Sequence, residues 1–352
     1  MNKKNRKLKV LLIGAMPPPV GGITVHLSRF MQKNIQNENY DLRVLDIRKL
    51  KLFTAESKCT FWQMLAFILT CRIVHIHLCS NIKVVLAAMT KLAGKITVYT
   101  HHDSRVSSFL LFNILLWLCD KVILVNEHDL AGKERVKLNG KCVYIPAFIS
   151  PSNEISLPDD LKIKISQYKF VVSTNCFSGE TYNGGHIYGY DIIVDAFKLF
   201  TNRMTCVKSL LILVDPNSSA GKIVSEKIND FNGNDKNEII YYAHSLDFSS
   251  LIKSSSVVVR ATRTDGDALT VREALYCGVP VVASNCRCRP EGTVLFDGVS
   301  YTDLAEKLEM VYKGDINAYS QMADFNDQIL SVYKAFTEET HFKLVPSAKI
   351  II

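Results

Sequence analysis

The sequence predicts an α/β protein built from two Rossmann-like α/β/α domains facing a central cleft, and three observations carry that reading. Apolar runs of strand length alternate with longer helical stretches, the pattern of parallel sheets. The alternation breaks once, near residues 150–160, where Pro151, Ser152, Asn153 and Pro158 give a linker-like composition. The chain is also 352 residues long, more than one core usually organises.

In chain order, residues 9–15 form a continuous apolar strand. The loop Pro17-Pro18-Pro19-Val20-Gly21-Gly22 and a helix over 23–35 follow it. Further strands are predicted at 42–47, 73–78, 96–101, 122–126 and 143–147, with helices between most of them. Beyond the linker, strands are expected at 170–174, 210–214, 239–242, 257–261, 279–283 and 294–296. This sets the domains at 1–158 and 159–318, with a helical segment at 319–352 free to cross back to the first domain. Ligands of such sheets bind outside the carboxyl ends of the strands.

Composition narrows the classes. Apolar residues make 48% of the chain and charged residues 22%, an ordinary globular balance. The formal charge of +8 suits a polyanionic ligand or an anionic bilayer surface. The basic residues Lys3, Lys4, Arg6, Lys7 and Lys9 read either as a membrane-surface patch or as a solvated tail. Ten cysteines include no C-x-x-C, only the C-x-C of Cys286 and Cys288, so free thiols are expected rather than disulfides or zinc. Residues 61–78 are apolar but interrupted by Gln63, Arg72, His75 and His77, so no membrane span is expected, and no signal peptide. A cytoplasmic protein, peripheral at the inner face of the membrane, is the expectation.

Most of the chemistry lies between Arg260 and Ser284, which reads as strand, polar loop, helix, Gly278 as helix terminator, then a buried strand. A helix beginning after such a loop offers amide groups and a positive dipole end to a diphosphate. Asp265 and Glu273 flank that site, and each carboxylate is able to hold a pair of sugar hydroxyls. Thr270 and Glu273 also fit a capping box, and Asp265 and Asp267 also fit ordinary turn positions.

The stretch Asp265, Gly266, Glu273-Ala274-Leu275 and Cys277-Gly278-Val279-Pro280-Val281-Val282-Ala283-Ser284 resembles the E-x7-E region of retaining GT-B glycosyltransferases of family 4. The resemblance implies that Glu273 holds the ribose and Asp265 the donor sugar. It also implies that Gly266 and the amides of Ala268, Leu269 and Thr270 cover sugar and diphosphate. The sequence departs from the pattern in having Asp rather than Glu at 265, and Asp267 and Ala268 where an aromatic and Gly are common. The likeness runs roughly from Lys9 to Tyr312.

In the first domain, Gly21 and Gly22 look like the family's glycine loop, letting backbone approach the donor. The family often has a cleft-facing histidine where Thr100-His101-His102-Asp103 ends a strand, and His101 is preferred narrowly over His102 for contacting sugar or acceptor. His75 and His77 alternate in a strand and share one face, with packing or the acceptor as their role. The family's phosphate-binding Lys-Gly looks replaced by Tyr188-Gly189, which makes Arg260 and Arg263 the candidate diphosphate partners, or else surface ion pairs.

The expected function is therefore transfer of a hexose or hexosamine from a nucleotide-diphosphate sugar, with no metal or other cofactor and no nucleic acid. The apolar runs at 61–69 and 109–118 suggest a lipid-linked oligosaccharide acceptor, as in O-antigen, capsule or exopolysaccharide assembly, or are simply core helices. A nucleotide-sugar 2-epimerase and a non-catalytic sugar-nucleotide-binding partner are the rival readings.

Overall fold

The structure, a computed structural model, describes residues 7–18, 20–49, 51–53, 60–102, 109–126, 140–152, 155–177, 179–218, 221–231, 236–317 and 322–342. The chain divides into two compact units, Met1–Ile149 with Asp324–Ile352, and Ser150–Ala323. Where the sequence suggests boundaries at 158 and 318, packing puts them at 149 and 323. Leu157 is the reason at the first boundary, because it joins Leu161 and Ile165 in a core of the second unit.

The first unit holds a seven-stranded sheet of order β3-β2-β1-β4-β5-β6-β7. Its strands are β1 (Leu8–Gly14), β2 (Tyr40–Asp46), β3 (Lys51–Phe53), β4 (Ile73–Ile76), β5 (Ile96–His101), β6 (Lys121–Leu124) and β7 (Cys142–Tyr144). Only β3 runs antiparallel to its neighbour. The last five residues of β1 are all buried, as a strand covered on both faces requires, which explains its unbroken apolar run. On one face pack α2 (Phe61–Thr70), α3 (Ile82–Leu92) and α4 (Phe109–Leu118), through Phe67, Ala87, Phe112 and Leu115. The other face takes α1 (Gly22–Lys33) and the final helix, Asn326–Phe342. Ile329, Val332 and Tyr333 of that helix pack with Leu27 and Phe30 of α1. Its amino end is tied by Asn34 Nδ2 donating to Asn326 Oδ1 at 2.6 Å.

In the second unit a six-stranded parallel sheet has the order β12-β11-β8-β13-β14-β15. The strands are β8 (Phe170–Asn175), β11 (Ser209–Val214), β12 (Asn237–Tyr242), β13 (Val257–Arg260), β14 (Val281–Ser284) and β15 (Val294–Phe296). A separate two-stranded hairpin, β9 (Thr181–Tyr182) with β10 (Gly185–His186), follows β8. The helices are α5 (Asp159–Ile165), α6 (Tyr190–Arg203), α7 (Gly221–Asn229), α8 (Phe248–Lys253), α9 (Leu269–Tyr276) and α10 (Tyr301–Lys313). Phe197, Val224 and Leu304 bring α6, α7 and α10 to one face, while the cores beneath α5, α8 and α9 cover the other.

Strand order reverses in each sheet beside the first strand of its unit, between β1 and β4 and between β8 and β13. Such a switch point is where open parallel sheets bind ligands. The nine described cysteines are all free. No helix among the described residues is long and apolar enough to cross a membrane.

Candidate functional site

In the second unit the predicted residues collect at the carboxyl ends of β8 and β13. Helix α9 starts at Leu269 with Ala268 as its N-cap, and no side chain caps it. Thr270 therefore lies inside the first turn, and the Thr270–Glu273 capping box is not formed. Instead Thr270 Oγ1 donates to Asn175 Oδ1 at 3.1 Å, tying the helix to the end of β8. Val271 N already donates to Ala268 O at 3.0 Å, so it is the amides of Leu269 and Thr270, with the positive dipole end, that point out of the helix beside Gly266. The other end closes as expected: Gly278 takes φ +68°, with Gly278 N donating to Leu275 O and Val279 N to Ala274 O. Glu273 is buried on the second turn, 6% exposed.

Asp265 is held between two guanidinium groups. Arg260, at the end of β13, donates to it through Nε at 3.0 Å and Nη2 at 3.2 Å. Arg289 Nη1 donates at 2.9 Å, Thr262 Oγ1 at 2.9 Å and the Gly266 amide at 3.1 Å. Burial alone would raise the Asp265 carboxyl, but Arg260 and Arg289 hold it well below the usual carboxylate range. With five donors on its two oxygens, Asp265 is a clamp for arginines in this structure rather than an open acceptor for hydroxyls. Arg260 also lies over the Tyr188 ring, 4.9 Å from its centroid. One carboxylate between two guanidinium groups leaves a surplus of one positive charge.

Arg289 is the site residue that the sequence does not announce. It lies in the loop after β14, and its other bonds go to Ser284 Oγ, Ser284 O, Thr262 Oγ1 and Cys286 Sγ. Only the pairing of β13 with β14 brings it to Asp265. Arg263 is placed differently from Arg260. It pairs with Asp191 at 3.1 Å and lies where a side chain on Gly185 would sit, a Cβ there coming within 2.0 Å of the guanidinium. Arg272 and Asp267 form a second buried pair at 2.6 Å. Gly189, at φ +67°, starts α6 with its Cα against the Ala261 carbonyl, where any Cβ would lie 2.1 Å from that oxygen.

The first unit brings a different set together at the carboxyl ends of β1, β4 and β5. Gly21 is the N-cap of α1, and nothing lies within 4 Å of a Cβ built on Gly22. Among the described residues, no neighbouring atom therefore demands glycine at 22. His101 and His102 point to opposite faces, as consecutive residues leaving a strand do. His101 Nδ1 meets Tyr99 Oη at 3.0 Å, and its ring lies 5.2 Å from Phe112 of α4. His102 instead meets His77, Nε2 to Nδ1 at 3.0 Å, beside His26 of α1. The histidine that joins others at the strand ends is thus His102, not the preferred His101.

His75 and His77 share one face, their ring centroids 4.0 Å apart. Both ring nitrogens of His75 are used, by Tyr333 Oη at 2.6 Å and Thr100 Oγ1 at 2.7 Å, so its place is structural. Burial drives the His26 imidazole down to about 4 and holds His75, His77 and His102 well below the usual histidine value, with neighbouring imidazoles adding to the effect. All four are neutral bases at pH 7.

Residues 173–313 match the family model described as "Glycosyl transferases group 1". No curated protein matches the chain by sequence. Among solved structures, the chain is similar to Anabaena HepE in complex with UDP-glucose, at 14% identity and TM-score 0.62, covering 93% of this chain and 100% of that one. It is similar to a protein described as a UDP-N-acetylglucosamine 2-epimerase from Listeria monocytogenes, at 15% identity and TM-score 0.62, with 99% and 100% covered. The lipopolysaccharide outer core galactosyltransferase WaaB, in its apo form, is similar at 14% identity and TM-score 0.56, with 96% and 100% covered. The chain has the GT-B fold, two Rossmann-like units, and its second unit carries the likeness to the group 1 glycosyl transferases.

Proposed function

We propose that the protein is a retaining glycosyltransferase of the family 4 type. It moves a hexose or hexosamine from a nucleotide-diphosphate sugar onto a lipid-linked glycan acceptor. The carrying observation is the uncapped amino end of α9 beside the Arg260–Asp265–Arg289 cluster, at the switch point of the segment that matches group 1 glycosyl transferases. UDP and UDP-glucose complexes of a similar fold support a nucleotide-sugar donor.

In this reading the α9 amides and Arg260 meet the diphosphate, and Glu273 holds the ribose hydroxyls. Asp265 orients Arg260 against the leaving group. The acceptor hydroxyl attacks on the face that the diphosphate leaves, and a departing phosphate oxygen takes its proton. Catalysis then rests on positioning and on stabilising the charge that develops on the diphosphate. That charge is met by Arg260 and the helix amides.

A panel of nucleotide sugars, incubated with and without membrane lipid extract and read by mass spectrometry, tests this. The expected result is a glycosylated lipid formed only when extract is present. An epimerised sugar nucleotide without acceptor makes the protein an epimerase, and binding without turnover makes it a non-catalytic partner. Glu273→Gln should weaken nucleotide binding by about 1.5–3 kcal/mol, the worth of a hydrogen bond to a charged group. Unchanged nucleotide affinity would remove Glu273 from the ribose site.

Peripheral attachment to the inner membrane face is supported by the outer surface of α2, α3 and α4. Trp62, Leu69, Val85, Met89, Leu92 and Trp117 are all more than half exposed there. Lysines border this surface: Lys95 donates to the carbonyls of Leu69 and Cys71, and Lys91 to that of Trp117. Aromatic side chains beside snorkelling lysines suit the headgroup layer of an anionic bilayer. Of the basic amino-terminal residues, Lys7 is exposed ahead of β1, while Lys3, Lys4 and Arg6 lie outside the described residues. Setting for the reaction is the assembly of cell-surface polysaccharide, such as O-antigen or capsule.

A further inference from the structure

We infer that His26, His77 and His102 form a binding site for one divalent transition-metal cation of the zinc type, with an open fourth position for an oxygen ligand. The three come from different elements: α1, the residue following β4, and the residue following β5. They meet at the switch point of the first sheet. One nitrogen from each lies within 4.8 Å of the others.

The ring geometry is the first argument. The centroids form a nearly equilateral triangle with sides of 5.4 Å (His26–His77), 5.3 Å (His26–His102) and 5.4 Å (His77–His102). Three imidazoles on one tetrahedral ion, each nitrogen about 2.0–2.1 Å from it, have centroids about 5.2 Å apart and nitrogens about 3.3 Å apart. The rings thus already stand at the spacing of a shared ion. Side-chain rotation brings their nitrogens onto it, exchanging the 3.0 Å contact between His77 and His102 for two metal bonds.

Hydrogen bonding supplies the second. His26 Nδ1 lies 2.7 Å from the Ala147 carbonyl, an acceptor, so the proton sits on Nδ1 and the lone pair on Nε2. A ligating histidine is commonly held this way, by a backbone carbonyl on its other nitrogen. Both His26 Nε2 and His77 Nε2 are buried without a hydrogen-bond partner. A buried polar atom without a partner is costly, and a cation bound by His26 Nε2 relieves that atom. His75, though adjacent, is not a ligand, because both its nitrogens are already engaged.

Three neutral nitrogens and no carboxylate make a borderline-soft site, which favours zinc, cobalt or nickel over magnesium or calcium. Three ligands leave one position open, the pattern of sites that bind water or a substrate oxygen. The sequence suggests a metal-free protein, having no clearly placed acidic D-x-D-type site, and only the fold brings positions 26, 77 and 102 together. The inference is independent of the donor site in the second unit, and failure of either leaves the other standing.

The test uses the full chain, stripped with a chelator and titrated with cobalt(II) and zinc(II) salts alone. Expected are one equivalent bound, a visible cobalt spectrum of four-coordinate type without thiolate charge-transfer bands, and displacement of cobalt by zinc. His77→Asn and His26→Asn should each weaken binding more than about 100-fold, beyond what loss of an outer-shell partner costs. His244→Asn, in the other unit, should change nothing. Circular dichroism confirms that each variant is folded, and the cobalt spectrum of the unaltered chain decides the matter even if a variant is not. Thiolate bands, a six-coordinate cobalt spectrum, or equal affinity in His77→Asn would overturn the site.

Discussion

Asp265 shows what a single buried carboxylate does when two arginines share it. Removing its charge leaves Arg260 and Arg289 buried without their common partner, and uncompensated buried charge is costly. Asp265→Asn is expected to destabilise the second unit by about 3–5 kcal/mol in urea denaturation. It should weaken binding of the bare nucleoside diphosphate as well as of the sugar donor, because Arg260 loses its orientation. If only the sugar donor is affected, with stability intact, Asp265 touches the sugar directly. The pH sign follows from its lowered carboxyl. The ion pairs contribute fully above the unfolded carboxylate value of about 3.9, and their contribution is lost as pH falls below it. Thiols give a simpler check. Burial pushes Cys119 up to about 12, so at pH 8 it should resist alkylation until the protein unfolds, while exposed Cys288 reacts at once.

At the level of elements, the exposed face of α2, α3 and α4 has a direct consequence. Trp62→Gln with Trp117→Gln should reduce binding to anionic vesicles in co-sedimentation and leave nucleotide affinity unchanged, since neither residue is near α9 in the chain or shares its unit. Loss of nucleotide affinity instead would show that these tryptophans support the fold. How far elements were legible depends on how local their causes are. Strand β1, helix α9 and the Gly278 terminus follow from apolar runs and a glycine with positive φ, all visible in the chain. The hairpin of β9 and β10 is only two residues per strand and escapes any periodicity. Antiparallel β3, three residues long, escapes it too. Arg289 and the histidine triangle were invisible for another reason. Their partners lie 24 to more than 70 positions away, and strand order alone brings them together.

On the scale of the whole molecule, each unit has its own sheet and its own cores, and the final helix is part of the first. Tyr333 is fully buried there, bonded to His75 and edge-on to Phe30 and Tyr40. Tyr333→Ala should cost about 3–5 kcal/mol, the usual range for emptying a large aromatic site. Hydrogen exchange should locate the loss in β1, β4 and α1, with β8, β11 and β13 keeping their protection. Equal loosening of both sheets would mean that the cores are not separate.

The same helix sets an order of events during synthesis. Ser150–Ala323 is contiguous, so every residue of the second unit's core has been made before Asp324 is added. The first unit, although its strands are made before those of the second, lacks Ile329, Val332 and Tyr333 until the helix Asn326–Phe342 has been made. Domains commonly fold in the order in which they are synthesised. In this chain the amino-terminal sheet waits, with one face covered by α1 alone, while the unit made after it closes first.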